Sequence, residues 1–181
     1  MDSKDSLAGA APELQGLIRQ VSISKGGVPK LGVREAWANP LGLEGDAHNH
    51  PEFHGGPSKA LLLVSFEDLE ELRAAGYPVF PGALGENLTV SGIDFRKLRS
   101  GQRWIVGGAS IELTTLRQPC HTLDVYNPDA ASLIQKRLYD ARAKAADPSS
   151  PVWAKGGFYA SVLQRGLIRT GATIALTDHA V

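Results

Sequence analysis

The sequence predicts a mainly β protein, a barrel or sandwich with a few flanking helices. Three observations predict it: twenty glycines spread among turn signals, several short strand-like stretches, and only two segments with helical spacing. No alternating βαβ units are visible in the pattern. Residues 1–14 are small and polar and read as a disordered tail, leaving residues 15–181 as one domain. From Leu17, the apolar positions Leu17, Val21 and Ile23 set against Arg19, Gln20 and Ser22 read as a first strand, closed by Lys25-Gly26-Gly27. ALLLV (60–64) is continuously apolar, as expected of a strand buried on both faces.

A helix should follow that strand. Ser65 with Asp68 three residues on makes a capping box, Phe66, Leu69 and Leu72 share a face, and Gly76 with Pro78 stops the segment. Gly82 and Gly85 bracket a tight turn, and Leu88-Thr89-Val90 re-enters a strand. The stretch 107–118 alternates Ile111, Leu113 and Thr115 with Glu112, Thr114 and Leu116, and Pro119 should end that strand because it cannot donate to a ladder. Asn127 as N-cap and Pro128 at the first helical position open a second helix through Leu133, Ile134, Arg137, Leu138 and Ala141, which Asp147-Pro148 ends. Residues 157–166 and 171–176 read as the last strands.

A length of 181 residues, 43% hydrophobic and 21% charged, suits a single globular domain. Nineteen basic residues balance nineteen acidic ones, so no global charge favours nucleic acid or an anionic membrane. The longest apolar run, residues 60–64, falls far short of the roughly 20 residues of a membrane span. The start of the chain has acidic residues where a signal peptide is basic. One cysteine excludes an internal disulfide and fits a reducing, cytoplasmic setting.

Three clusters carry the residue types of a chemical site. The first is residues 45–59, where Asp46, His48, His50 and His54 have the ligand types of a zinc or iron site, though closely spaced loop histidines are as readily solvated. In the same segment, His54-Gly55-Gly56 followed by Lys59 lets backbone amides and a positive charge approach an anion, while a plain turn explains the same glycines. The second is residues 81–90. Glu86 and Asn87 together can bind a heterocycle edge, or Asn87 can simply close the loop. The third is LRQPCH (116–121), which presents Cys120 at a strand end with Arg117 and His121 nearby. Cationic neighbours favour the thiolate, the form that attacks, carries sulfur or binds a soft metal. A buried, inert thiol is the competing reading.

The order FHGGPSKALLL (53–63), PGALGENLTV (81–90) and RQPC (117–120) resembles the MOSC domain family, named for the C-terminal part of molybdenum-cofactor sulfurase. The likeness runs from residues 26–30 through 42–46 to 157–176. It is strongest to the standalone bacterial branch, which includes reductases of N-hydroxylated purines. The resemblance implies a closed or partly open, pyruvate-kinase-like β-barrel around a pocket for the molybdenum cofactor (molybdopterin). It implies that Cys120 is a molybdenum ligand or carries sulfur as a persulfide, and that Arg117 binds an anionic part of the cofactor. His54, Gly55, Gly56 and Lys59 would hold the pterin phosphate, Glu86 and Asn87 would lie near the pterin or substrate, and His121 would serve as proton donor. Where the family usually has Ile-Gly-Asp, Gly-Asp and Ser-Gln-Pro-Arg, this chain has Ser100-Gly101-Gln102, Gly171-Ala172 and Thr114-Thr115-Leu116-Arg117, and His121 replaces a glycine.

Three functions follow from the resemblance. One is a reductase of N-hydroxylated small molecules fed by an external electron donor, since nothing resembles a flavin, haem or iron–sulfur site. The second is a sulfur carrier served by a separate pyridoxal-phosphate cysteine desulfurase. The third is a non-catalytic module that stores or transfers the cofactor.

Overall fold

A computed structural model describes residues 14–47 and 56–178. Its strands are β1 (Gln15–Ile23), β2 (Leu31–Val33), β3 (Glu35–Asn39), β4 (Gly42–Leu43), β5 (Leu61–Ser65), β6 (Leu88–Ser91), β7 (Arg103–Val106), β8 (Ala109–Leu116), β9 (Phe158–Gln164), β10 (Gly166–Arg169) and β11 (Thr173–Asp178). The helices are α1 (Phe66–Ala74), α2 (Ile134–Leu138) and α3 (Ala141–Lys144), with short 3-10 segments at 57–59, 95–97 and 121–126.

Seven strands in the order β11-β7-β8-β9-β5-β6-β1 close into a barrel, because β1 also pairs with β11 through Gln15↔Ala175 to Leu17↔Thr173. Closure removes the exposed edges of the open sheet. β2 extends the far end of β1, and β10-β3-β4 form a separate three-stranded sheet. Leu14 is packed against the barrel core, and its carbonyl accepts from Leu176 N at 2.9 Å.

β5 joins two cores, as its unbroken apolar sequence requires. Leu61 and Leu63 point into the barrel, while Leu62 and Val64 face a second core with Leu69, Leu72, Leu84 and Leu123. Each such side chain contributes about 2 kcal/mol by leaving water. α1 starts where the cap predicts: Ser65 Oγ accepts from Asp68 N at 3.1 Å. One crossover does occur, since β5 and β6 run parallel with α1 between them.

The second expected helix is broken into two short ones. Asp129 Oδ1 accepts from Ala131 N and Ser132 N, both at 2.8 Å, so a local side-chain turn takes up the residues that would have started it. Asn127 does cap a helix, but from seven residues away, with Oδ1 accepting from Ile134 N at 2.8 Å. Tyr139 and Asp140 are extended, and Asp140 recaps the chain at Ala143 N.

Asp68 is the titratable feature of this frame. It borders a cavity of about 430 Å³ shared with Glu67, Glu71, Asp94, Arg96 and Lys155. Burial pushes its carboxyl up to about 6 against the opposing charge of Lys155. The folded chain therefore holds this proton more tightly than the unfolded chain. That contribution is complete below pH about 4 and is lost as pH rises through about 6. Asp68→Asn should flatten this dependence and gain on the parent as pH rises, by up to about 3 kcal/mol near neutrality. Urea unfolding at pH about 4 and about 8 measures it. Equal pH slopes in parent and variant would contradict the assignment.

Candidate functional site

The site is made where β8 leaves the barrel. A bulge between Leu113 and Leu116 inserts one extra residue opposite β9, and Arg117 N then donates to Gly157 O at 2.9 Å. Gly157 has φ 95°, and a Cβ there would lie 2.4 Å from Leu63 O, so only glycine lets β9 pass so close to β5. The bulge turns the Arg117 side chain inward, where it is 5% exposed.

Arg117 Nη2 donates to Leu84 O at 3.1 Å, and its buried Nη1 has no hydrogen-bond partner. Burial pushes the guanidinium below its ordinary value, opposed by Tyr159, Cys120 and Glu86. An arginine stays charged even so, which leaves a buried cation with an unused donor. Tyr159 neighbours the guanidinium, and burial raises its phenol against the pull of Arg117, so the hydroxyl keeps its proton. Lys59 Nζ lies 5.4 Å from the centre of the Tyr159 ring.

β8 ends at Leu116, before the Pro119 expected to stop it, and Cys120 is the extended residue that opens the 121–126 segment. The thiol is partly exposed, with Sγ 2.9 Å from Thr122 Oγ1. The Cys120 carbonyl accepts from Leu123 N at 3.2 Å and from Gln135 Nε2 at 3.0 Å. His121, next in sequence, is exposed.

The 81–90 loop supports this arrangement from behind. Glu86 is fully buried, with Oε1 accepting from Gly82 N at 2.6 Å and Thr89 Oγ1 at 3.0 Å, and Oε2 accepting from Leu84 N at 3.1 Å. Burial raises its carboxyl, opposed by those donors. Gly82 has φ 96°, and a Cβ there would lie 2.1 Å from Lys30 O. Asn87 donates through Nδ2 to Asp46 Oδ2 at 2.8 Å and Ser22 O at 3.3 Å, and accepts from Leu62 N at 3.1 Å. Asp46 also accepts from Ser24 N at 2.8 Å and pairs with Lys30.

The structure therefore brings together Arg117, Cys120 and, through Tyr159, Lys59. Glu86 and Asn87 carry the loop: all their polar atoms are engaged within the fold, so their influence on a ligand is indirect. Asp46 is committed to Lys30 and Asn87, its side chain 1% exposed, and is not free for the metal site its spacing suggested. His48, His50, His54 and Gly55 lie outside the described residues. Gly56 precedes the 57–59 turn with φ 83°. Among the described residues no group of three or more His, Cys, Asp or Glu side chains is placed to hold a metal ion. Sequence reasoning missed Tyr159, Thr122 and Gln135. Tyr159 sits in an ordinary strand-like stretch, and only its polar tip signalled anything.

These features define a class. A family model for the MOSC domain matches residues 50–175, and the chain belongs to that family. Among curated proteins, it is 31% identical to protein YiiM of Escherichia coli over 109 residues, covering 56% of this chain and 46% of that one. It is 27% identical to the uncharacterized protein YflK of Bacillus subtilis over 140 residues, 76% of this chain and 56% of that one. The chain thus spans about half the length of these curated relatives. The crystal structure of YiiM from Geobacillus stearothermophilus shares the fold, with a TM-score of 0.66 at 24% identity over 90% of this chain and 75% of that one.

Asn87→Ala should cost about 3 kcal/mol, because it strips Leu62 N of its acceptor and Asp46 of a donor inside the fold. Equilibrium unfolding in urea measures the loss. Unchanged stability together with lost ligand binding would return Asn87 to direct ligand contact.

Proposed function

We propose that this chain binds the molybdenum cofactor against Cys120 and reduces N-hydroxylated small molecules there. The observation that carries the reading is the unpartnered Nη1 of Arg117 beside the chain's one thiol. A buried cation with an unused donor suits an anionic ligand, and a soft thiolate suits molybdenum. The residues present fit the group: Cys120 as its protein ligand, with Arg117 and Lys59 for its anionic parts. A site with one protein sulfur suits a metal whose other ligands arrive with an organic cofactor.

When bound, the cofactor supplies two-electron chemistry. The overall reaction takes R–NH–OH, two electrons and two protons to R–NH2 and water, with the N–O bond broken and the electrons drawn from an external donor. The protein's own residues manage binding and protons. Arg117 orients an electron-rich group near Cys120. Tyr159 retains a proton on its hydroxyl next to that guanidinium, and exposed His121 would serve as the proton donor to the substrate. Thr122 Oγ1 can donate to the sulfur and steady its direction.

A second reading rests on the partial exposure of Cys120. A sulfur carrier needs an accessible thiol that takes sulfane sulfur from a separate pyridoxal-phosphate cysteine desulfurase and passes it on. Storage or transfer of the cofactor is a third use of the same pocket. Among the described residues no helix is long and apolar enough to cross a membrane. A cytoplasmic location is proposed from the single cysteine, which suits a reducing compartment.

Protein from a cofactor-competent host should hold close to one equivalent of molybdenum and oxidise a reduced dye with an N-hydroxylated substrate. At a hundredfold excess over Kd such a ligand stabilises by about 2.7 kcal/mol, or about 5–10 °C in Tm. Cys120→Ser should remove the metal and most of that gain while the apo protein melts as the parent does. Absence of molybdenum with a persulfide on Cys120 would favour the carrier, and metal without turnover would favour storage.

A further inference from the structure

Among the described residues, three buried side-chain nitrogen or oxygen atoms lack a hydrogen-bond partner: Trp104 Nε1, Arg117 Nη1 and Gln135 Oε1. Trp104 belongs to the barrel core. The other two flank Cys120. Gln135 Nε2 donates to Cys120 O at 3.0 Å and to Asp124 Oδ1 at 2.6 Å. Two acceptors fix the direction of the amide, so the unused atom is the carbonyl oxygen, an acceptor. The end of α2 and the Arg117 main chain also meet at Gly156, where a Cβ would lie 2.9 Å from Arg117 O and 3.3 Å from Leu138 O. One short segment, 117–120, is therefore bordered by an unused cationic donor and an unused neutral acceptor.

Leaving a buried acceptor without a donor costs about 1–3 kcal/mol. Both orphan atoms gain when one molecule offers an anionic or electron-rich group to Arg117 and an N–H or O–H to Gln135. We propose that Gln135 is a ligand-reading residue, its Oε1 accepting an N–H or O–H from the molecule whose electron-rich group meets Arg117. The class of ligand is a small molecule with an N–H or O–H donor near an electron-rich acceptor. The inference rests on the ligand binding at Cys120, as proposed above, but not on the identity of the cofactor.

The test uses apo protein and three alkylating probes. In each, the thiolate of Cys120 displaces iodide from carbon, forming an S–C bond as C–I breaks. Iodoacetamide carries N–H donors, its N,N-dimethyl analogue carries none, and iodoacetate carries a charge. Taking rate ratios within one protein cancels the fraction of thiolate, so a change in ionisation cannot imitate the effect. The iodoacetamide to dimethyl ratio at Cys120 should exceed that of a free thiol such as N-acetylcysteine by about fivefold, the range of one net hydrogen bond. Gln135→Met should bring it down to the free-thiol ratio. The iodoacetate to iodoacetamide ratio should fall in Arg117→Met and not in Gln135→Met.

A parent ratio equal to that of the free thiol would overturn the proposal, and so would a Gln135→Met that keeps the parent's ratio. Neither result bears on molybdenum, whose loading is measured separately. In protein from the cofactor-competent host, metal retained in Gln135→Met with a raised substrate KM assigns the donor to the substrate. Lost metal assigns it to the cofactor.

Discussion

The candidate site of this molecule is organised around one buried guanidinium. Arg117 is 5% exposed and is answered in the fold by one carbonyl, Leu84 O, by the Tyr159 hydroxyl and by the charges around it, while its Nη1 keeps no partner. Enclosing a cation so incompletely is unfavourable by itself. The surrounding structure holds it there: the β8 bulge sets its direction, Gly157 lets β9 pass behind it, and the Glu86 loop presents Leu84. Strain of this kind is tolerated where a ligand supplies the missing partner.

The two layers of the site differ in chemistry. Behind, Glu86, Asn87, Asp46 and Lys30 form a closed polar network in which the side chains satisfy loop amides and one another. Such a network fixes geometry but offers nothing to a ligand. In front, Arg117, Gln135, Tyr159 and the partly exposed Cys120 retain free or protonated polar atoms. In the proposed function, binding belongs to the front layer, and the back layer keeps that layer in place.

Local signals in the sequence were enough for β5, whose continuous apolar run faces two cores, and for α1, whose Ser65 cap forms as expected. The turn at Gly82 and Gly85 was legible for the same reason, whereas β8 ends at Leu116, just past its bulge and before Pro119. The second helix was not, because Asp129 offers the backbone a competing local turn and Tyr139 adopts an extended conformation that spacing cannot reveal. The strands β2, β3, β4 and β10 are two to five residues long and exist through pairing with distant chain. At the site, Cys120 and Arg117 were visible as residue types in a motif. Gln135 was not, since a helical glutamine reads as a surface position until its partners are known.

The most direct measurement is thermal unfolding of apo Arg117→Met beside the apo parent. If Arg117 is an incompletely answered cation kept for a ligand, replacing it with an apolar side chain of similar length should leave apo Tm unchanged or raise it by a few degrees, with about 1 kcal/mol corresponding to 2–4 °C in a chain of this size. Loss of many degrees in the apo variant would show that Arg117 is there to hold the fold together and would contradict the account.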